Sequence, residues 1–269
     1  MTELVVVEAG WATSVQDGGR RSHADIGVPA SGALDGDLRD LLNRLVGNHP
    51  EAAVLETLGR LRVRATSAAV VATSAERAAR AVIAGEIVEV EPAAGDLWGY
   101  LAVRGGIAVD PVLGSRSRDS RSGLGPAVPG AGDRLPVGVD PGTPLVVDQA
   151  PPPLRADLAG VWPGPRVEWF APGALEALAA TAWTVSADVN RVGARLDGPP
   201  LERRITEELP SEGLLLGAVQ VPADGRPVVM LADHPTTGGY PVLAVVDRRA
   251  LSTIVQARPG TSLRFHVLH

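Results

Sequence analysis

Short apolar runs separated by polar, glycine-rich turns dominate the chain. Residues 60–64, Arg60-Leu61-Arg62-Val63-Arg64, alternate with period two, as a strand with one buried face should. Residues 4–7, 54–56, 69–72, 87–90 and 97–103 read as further strands. One segment keeps helical spacing instead, with Leu38, Leu41, Leu42, Leu45 and Val46 on one face. Either Asp35 or Asp37 caps its start, and Gly47 and Asn48 suit a left-handed exit. Residues 10–36 and 112–142 lack periodicity and read as loops.

Prolines cluster next, in Asp140-Pro141-Gly142, Pro151-Pro152-Pro153 and Pro163-Gly164-Pro165, which predicts an extended connection. Beyond it the pattern predicts strands over 166–170, 183–186, 214–221, 228–232, 241–246 and 262–267. A short helix is expected over 174–180. Another follows Asp247, with Leu251, Ile254 and Val255 on one face. The expected organisation is a β-rich N-terminal lobe (1–145), a proline-rich linker (146–165) and a β-rich C-terminal lobe (166–269). The fold class is mainly β with a few short helices.

Composition sharpens this picture. Aromatic residues make up only 3% of the 269 positions, so the core must be built from Val, Leu, Ala and Ile. Counts of Gly 31 and Pro 23 fit many turns between short strands. The net charge is -6 and no basic run is interleaved with aromatics, which argues against nucleic acid as a partner. Cysteine is absent, excluding disulfides, thiolate nucleophiles and thiolate metal sites. Lysine is absent too, since every cation in the Lys+Arg count of 25 is arginine. The chain therefore has no phosphate-loop lysine, no Schiff-base lysine and no lysine to carry biotin. Its first residues lack the pattern of a signal peptide, and no apolar stretch reaches the roughly 18 residues of a membrane span. A soluble, cytoplasmic protein without membrane contact is expected.

Four polar constellations carry candidate chemistry. In Ser14-Val15-Gln16-Asp17-Gly18-Gly19-Arg20-Arg21, Gln16 and Asp17 offer hydrogen-bonding groups and Arg20 can clamp an anion; equally, Asp17 and Arg20 can simply tie down a turn. In residues 27–35 the backbone before the helix, with Ser31, either attracts an anion or is occupied by a capping Asp35. Arg104-Gly105-Gly106 and the Arg/Ser alternation of residues 114–121, including Arg116, read either as an anion site or as a solvated loop. Finally, Asp233-His234-Pro235-Thr236-Thr237-Gly238-Gly239-Tyr240 lies between two strand-length apolar runs, where a rigid sheet can present polar groups at its rim. Asp233 or His234 is a candidate base there, and an ordinary solvated turn is the alternative. No His-x-x-x-His pair, Gly-x-Ser-x-Gly elbow or Walker motif is present.

These blocks occur together in a recognisable order. Gly10-Trp-Ala-Thr-Ser-Val-Gln-Asp-Gly-Gly-Arg20, Gly27-Val-Pro-Ala-Ser-Gly-Ala-Leu-Asp35, Asn43-Arg-Leu-Val-Gly-Asn48, Ala53-Val-Leu-Glu56 and Leu101-Ala-Val-Arg-Gly-Gly-Ile107 come first. Leu113-Gly-Ser-Arg-Ser117, Arg191-Val-Gly-Ala-Arg-Leu196, Ser211-Glu-Gly213, Gly217-Ala-Val-Gln220 and Thr236-Thr-Gly-Gly-Tyr-Pro241 follow. The series resembles the carboxyltransferase A/B family, also called allophanate hydrolase subunit 2 or KipA-like, over nearly the whole chain. Gly18, Ser22-His23 and the loose Gly123-Leu-Gly-Pro126 depart from its usual pattern. The resemblance implies two β-rich lobes of cyclophilin-like barrel architecture.

Stand-alone bacterial members of this length resemble the C subunit of 5-oxoprolinase. That implies work with the A and B subunits, the KipI-like partners, in a complex that uses ATP to open 5-oxoproline to glutamate. Other branches imply a carboxyltransferase served by biotin on a partner, or a regulatory protein antagonising a kinase inhibitor. No cofactor is expected to be bound by this chain itself, and no metal. Asp17 and Asp233 are the expected catalytic residues. Gln16, Arg20, Ser31, Arg104, Arg116, Thr236, Thr237 and Tyr240 are the expected contacts to a small-molecule substrate.

Overall fold

Alternating valines and leucines, most of them fully buried, build the first part of the molecule. The computed structural model describes residues 2–147, 149–151, 155 and 158–269. It contains two compact units, Met1–Arg20 with Ser31–Pro153, and Arg21–Ala30 with Leu154–His269. Residues 21–30 thus cluster with the later part of the chain, a pairing that sequence order conceals.

In the first unit the strands are β1 (Glu3–Glu8), β2 (Ala12–Gln16), β3 (Val54–Leu58), β4 (Leu61–Ala65) and β5 (Ala69–Thr73). β6 (Ala79–Val82), β7 (Ile87–Val90), β8 (Trp98–Val103) and β9 (Arg134–Pro136) complete the set, and α1 is Gly36–Leu45. They form a four-stranded sheet in the order β7-β4-β1-β9 and a five-stranded sheet in the order β2-β3-β8-β5-β6. Leu4, Val6, Leu61, Val63 and Val88 of one sheet share a single core cluster with Leu55, Val71, Val82, Leu101 and Val103 of the other. The unit is therefore a sandwich of two sheets with an apolar interior. α1 packs on β8 and β5. Its Leu38, Leu42 and Leu45 are buried, the Asp35 carboxylate caps the Leu38 N–H, and Gly47 leaves the helix at φ 74°.

Two expectations for this unit are corrected. Residues 112–142 read as loop, yet Arg134–Pro136 is β9, paired with β1. Residues 10–36 likewise read as loop, yet they contain β2, which pairs with β3 from Ala12 opposite Leu58 to Gln16 opposite Val54. Its buried side chains are mostly polar and bond to polar groups of neighbouring segments, as where the Thr13 hydroxyl meets that of Thr57 in β3 at 2.8 Å. A strand stabilised in this way leaves no hydrophobic alternation to read.

The second unit holds β10 (Ala159–Pro163), β11 (Trp183–Val189), β12 (Gly193–Asp197), β13 (Glu212–Gly213) and β14 (Ala218–Gln220). β15 (Val228–Met230), β16 (Thr237–Gly238), β17 (Val242–Val246), β18 (Ser262–Leu263) and β19 (Phe265–Val267) follow, with helices α2 (Ala174–Ala180) and α3 (Leu251–Gln256). Eight strands form one sheet in the order β18-β11-β12-β15-β14-β17-β10-β19. Its two edge strands are separated in sequence by Arg264 alone, so the sheet must curl until its edges nearly meet. Trp183, Leu196, Val219, Val229, Leu243 and Phe265 are buried in this barrel-like sheet. The fold is mainly β with short helices, as the apolar pattern predicts.

Local expectations differ at several places here, among them β12, which the apolar pattern does not predict, and residues 262–267, which form two strands rather than one. Residues 166–170 form a 3-10 turn, Val167–Trp169, rather than a strand. Of residues 214–221 only Ala218–Gln220 is strand, because a turn closed by the Ala218 N–H to Leu215 carbonyl bond interrupts the apolar run. Ala159–Pro163, inside the proline-rich stretch, is a strand paired on both sides by β17 and β19. Among the described residues no helix is long and apolar enough to cross a membrane.

Candidate functional site

In the first unit β2 ends on Gln16 and delivers Asp17 to a buried pocket made by the turn 112–119. The Asp17 carboxylate accepts the hydroxyls of Ser115 at 2.6 Å and Ser117 at 2.7 Å, and the backbone N–H groups of Gly19 at 2.8 Å and Arg116 at 2.5 Å. Burial disfavours its charged form, but the bonds from Ser115, Ser117, Arg116 and Gly19 outweigh that and hold its pKa below the usual carboxylate value. The backbone of Asp17 is held as well: its N–H donates to Ser117 Oγ at 2.9 Å, and its carbonyl accepts from Arg39 Nη1 at 2.8 Å. Asp17 is thus an ionised anchor, and proton transfer by it would require one of these bonds to be exchanged.

The Arg/Ser alternation has a tertiary meaning that the loop reading lacks. Ser115 and Ser117 point inward to Asp17 and are 1% and 0% exposed, while Arg116 and Arg118 alternate with them outward. Arg118 Nη1 turns back to the carbonyls of Gly123 and Pro126. Arg116 uses Nε on the Val109 carbonyl at 2.7 Å. The terminal amino groups of Arg116 have no hydrogen-bond partner among the described residues, which leaves a half-buried guanidinium fork for an anion.

Arg20 is buried beside this turn. It donates from Nε to the Val112 carbonyl at 3.4 Å, from Nη1 to Ser31 Oγ at 3.4 Å and from Nη2 to the Ser117 carbonyl. Ser31 in turn donates to Asp119 Oδ2 at 2.9 Å. Asp119 also accepts both the N–H and the hydroxyl of Ser122; burial opposes its charge, but these bonds and those from Ser31 and Arg121 lower its pKa. Ser31 (φ 53°) and Leu113 (φ 50°) both adopt the left-handed conformation in the segments that Arg20 ties together, a backbone strain that such cross-linking can hold. Gln16 completes the group. Its Nε2 donates to Ser14 Oγ and the Arg118 carbonyl, while its buried Oε1 has no partner among the described residues.

Gln16, Asp17, Arg20, Ser31 and Arg116 are therefore brought together, and Arg104 is not part of their network. Arg104 donates to Asp140 Oδ1 at 2.7 Å, to the Val46 carbonyl at 3.0 Å and to the Thr143 carbonyl at 2.7 Å. It is a strut between the end of α1 and the segment after β9, and its bond to Asp140 raises its pKa.

Asp233, Thr236, Thr237 and Tyr240 belong to the second unit. Asp233 is fully buried and pairs with Arg191 through two bonds, Nε to Oδ2 at 2.8 Å and Nη2 to Oδ1 at 2.9 Å. His234 donates from Nδ1 to the Pro235 carbonyl at 2.7 Å. Thr237 lies in β16 opposite Gly213, and it is exposed, as is Tyr240. This rim displays hydroxyls, while its carboxylate is turned inward.

One buried group has no counterpart among the sequence candidates. Glu56 Oε2 accepts the Tyr100 hydroxyl at 2.8 Å and the Leu34 N–H at 2.8 Å, and the Tyr100 oxygen accepts the Asp35 N–H at 2.9 Å. Burial, with the nearby charges of Glu56 and Asp35, pushes the Tyr100 pKa well up, so it stays a neutral donor. The available signal was a glutamate inside the apolar run Val54-Leu55-Glu56.

A β-sandwich unit with its signature turn cross-linked to β2, together with a nearly closed eight-stranded unit, defines a mainly β protein of paired modules. Residues 26–267 match the family described as carboxyltransferase domain, subdomain A and B, and the chain belongs to that family. It is 35% identical to the C subunit of 5-oxoprolinase from Escherichia coli (strain K12) over 280 residues, covering 97% of this chain and 90% of that protein. Among solved structures it is similar to TTHA0988, at TM-score 0.87 and 35% identity over 99% of this chain and 55% of that one. It is also similar to the K. lactis urea amidolyase, at TM-score 0.89 and 28% identity over 99% of this chain and 19% of that one. The chain thus spans about half of one solved relative and about a fifth of the other.

Proposed function

We propose that this chain is the C subunit of an ATP-dependent 5-oxoprolinase, acting with A and B subunits to open 5-oxo-L-proline to L-glutamate. The observation that carries this reading is the likeness to the E. coli protein, which extends over 97% of this chain and 90% of that one. A lactam carbonyl is resonance-stabilised and resists water. Transfer of the ATP γ-phosphoryl group to its oxygen makes the ring carbon electrophilic. Water adds there, the nitrogen leaves as an amine, and the resulting carboxyl phosphate is hydrolysed by a second water to glutamate and phosphate. Each species in that sequence is an anion, and the free fork of Arg116 is suited to hold a carboxylate or phosphate group of one of them. Asp17 and Arg20 fix the turn that presents Arg116.

The test is co-expression with the A- and B-type subunits and measurement of glutamate release from 5-oxoproline, with and without this chain. Activity that does not depend on the chain counts against the reading. In the complete complex, Arg116→Ala is expected to lower turnover or substrate affinity at least ten-fold. Unchanged kinetics would remove Arg116 from the site.

The likeness to urea amidolyase supports a second reading, a carboxyltransferase. Because the chain has no lysine, biotin would have to arrive on a partner. A streptavidin blot of the purified complex separates the two readings, since a complex without a biotinylated component disfavours the second.

A further inference from the structure

A cleft of about 660 Å³ opens in the first unit between the last turns of α1 and the segment after β9. Leu41 and Leu45 form its helix side, and Pro144, Val146 and Val147 face them. Val146 is 86% exposed and Val147 53%, an apolar surface that water solvates poorly. The cleft includes none of Gln16, Asp17, Arg20 or Arg116. It is also much larger and more apolar than a five-membered polar lactam requires.

Its charged lining is of one sign. Arg44 lines the cleft, and its side chain has no carboxylate partner among the described residues. No Asp or Glu appears among the described lining residues. His49 also lines it, and its Nδ1 accepts the Glu51 N–H at 3.3 Å, which leaves the Nε2 N–H as a second donor. A helix C-terminus ordinarily repels anions. Here that effect is offset, because the Arg104 guanidinium sits on the Val46 carbonyl at 3.0 Å and the carbonyls of Leu42, Asn43 and Arg44 each accept a backbone N–H.

We propose that this cleft binds a small amphiphilic carboxylate, with its apolar body between α1 and the two valines and its carboxylate on Arg44. The site is separate from the one proposed for 5-oxoproline chemistry and does not depend on that reading.

The probe for the test is 8-anilinonaphthalene-1-sulfonate, an apolar anion whose fluorescence rises in a dry site, titrated against the full chain. Saturable binding to one site is expected. Octanoate should displace the probe at a concentration about ten-fold lower than octanol, because only the carboxylate pairs with Arg44. Arg44→Gln should weaken octanoate roughly ten-fold while leaving octanol unchanged. Val146→Asp, at an exposed position where folding is tolerated, should abolish probe binding with circular dichroism unaltered. The proposal is overturned by unsaturable binding, by equal potency of octanoate and octanol, or by variants that bind like the wild type. It is also overturned if assembly with partner subunits removes the site, which would make the cleft a protein interface.

Discussion

Asp17 and Ser117 hold each other twice. The Asp17 backbone N–H donates to Ser117 Oγ at 2.9 Å, and the same hydroxyl donates to Asp17 Oδ1 at 2.7 Å. This reciprocal pair fastens the end of β2 to a turn 100 positions later in the chain. It also explains why Asp17 stays charged although it is only 8% exposed.

Replacing that carboxylate should therefore cost stability. In Asp17→Asn the new amide must set its NH2 either against the Arg116 N–H or against the Gly19 N–H, a donor facing a donor in each case. A loss of about 2–3 kcal/mol is expected. Ser117→Ala removes one hydroxyl and should cost roughly 1–2 kcal/mol. Urea unfolding with unchanged m-values measures both, and coupling near zero between the two substitutions would contradict the pairing.

The same geometry sets an acid limb of stability. Asp17 and Asp119 both have folded pKa values below their unfolded ones. Their stabilisation is complete above about pH 5 and falls as the pH drops through about 3.9 and then through the folded values. Urea midpoints measured from pH 6 down to pH 2.5 should show this loss, less steeply in Asp17→Asn. Parallel curves for the two proteins would count against Asp17 as a contributor.

Arg191 and Asp233 form a bidentate pair in the second unit with the carboxylate fully buried. Asp233→Ala takes the bidentate carboxylate from a buried guanidinium and should destabilise that unit by about 3–5 kcal/mol. Combining it with Arg191→Met removes both charges and should recover a large part of the loss. Thermal unfolding of the single and double variants decides the point. A single variant as stable as the wild type would show that the pair is not structural.

Tyr100→Phe deletes one oxygen from the Glu56–Tyr100–Asp35 group and leaves Glu56 without its phenolic donor and the Asp35 N–H without its acceptor. A loss of about 1–3 kcal/mol is expected, with α1 remaining helical because Asp35 still caps Leu38. Far-UV circular dichroism with urea unfolding checks both halves of this expectation.

Much of the framework is written in local pattern. The period-two alternation at 60–64, the leucine stripe of α1 and the Asp35 cap all report burial or backbone chemistry within a few residues. β2 escaped because Thr13 and Gln16 are buried through polar partners, and β12 because Gly193 and Ala194 carry little apolar signal. At the candidate site, the residue types of the Gln16–Arg20 and 114–121 segments marked where polar chemistry gathers, but not which members face inward.

The chain's sequence by itself determined the mainly β class, the helix and its cap, the absence of lysine and cysteine, and the ordered blocks that place it in its family. Only the tertiary structure decided that Asp17 is spent on two serines nearly 100 residues away, that Asp233 is spent on Arg191, and that the terminal amino groups of Arg116 have no partner among the described residues. The reason is physical. Periodicity and capping act over a few residues, whereas a hydrogen-bond partner is chosen by which backbones the packed sheets bring together. That choice leaves no periodic trace along the chain.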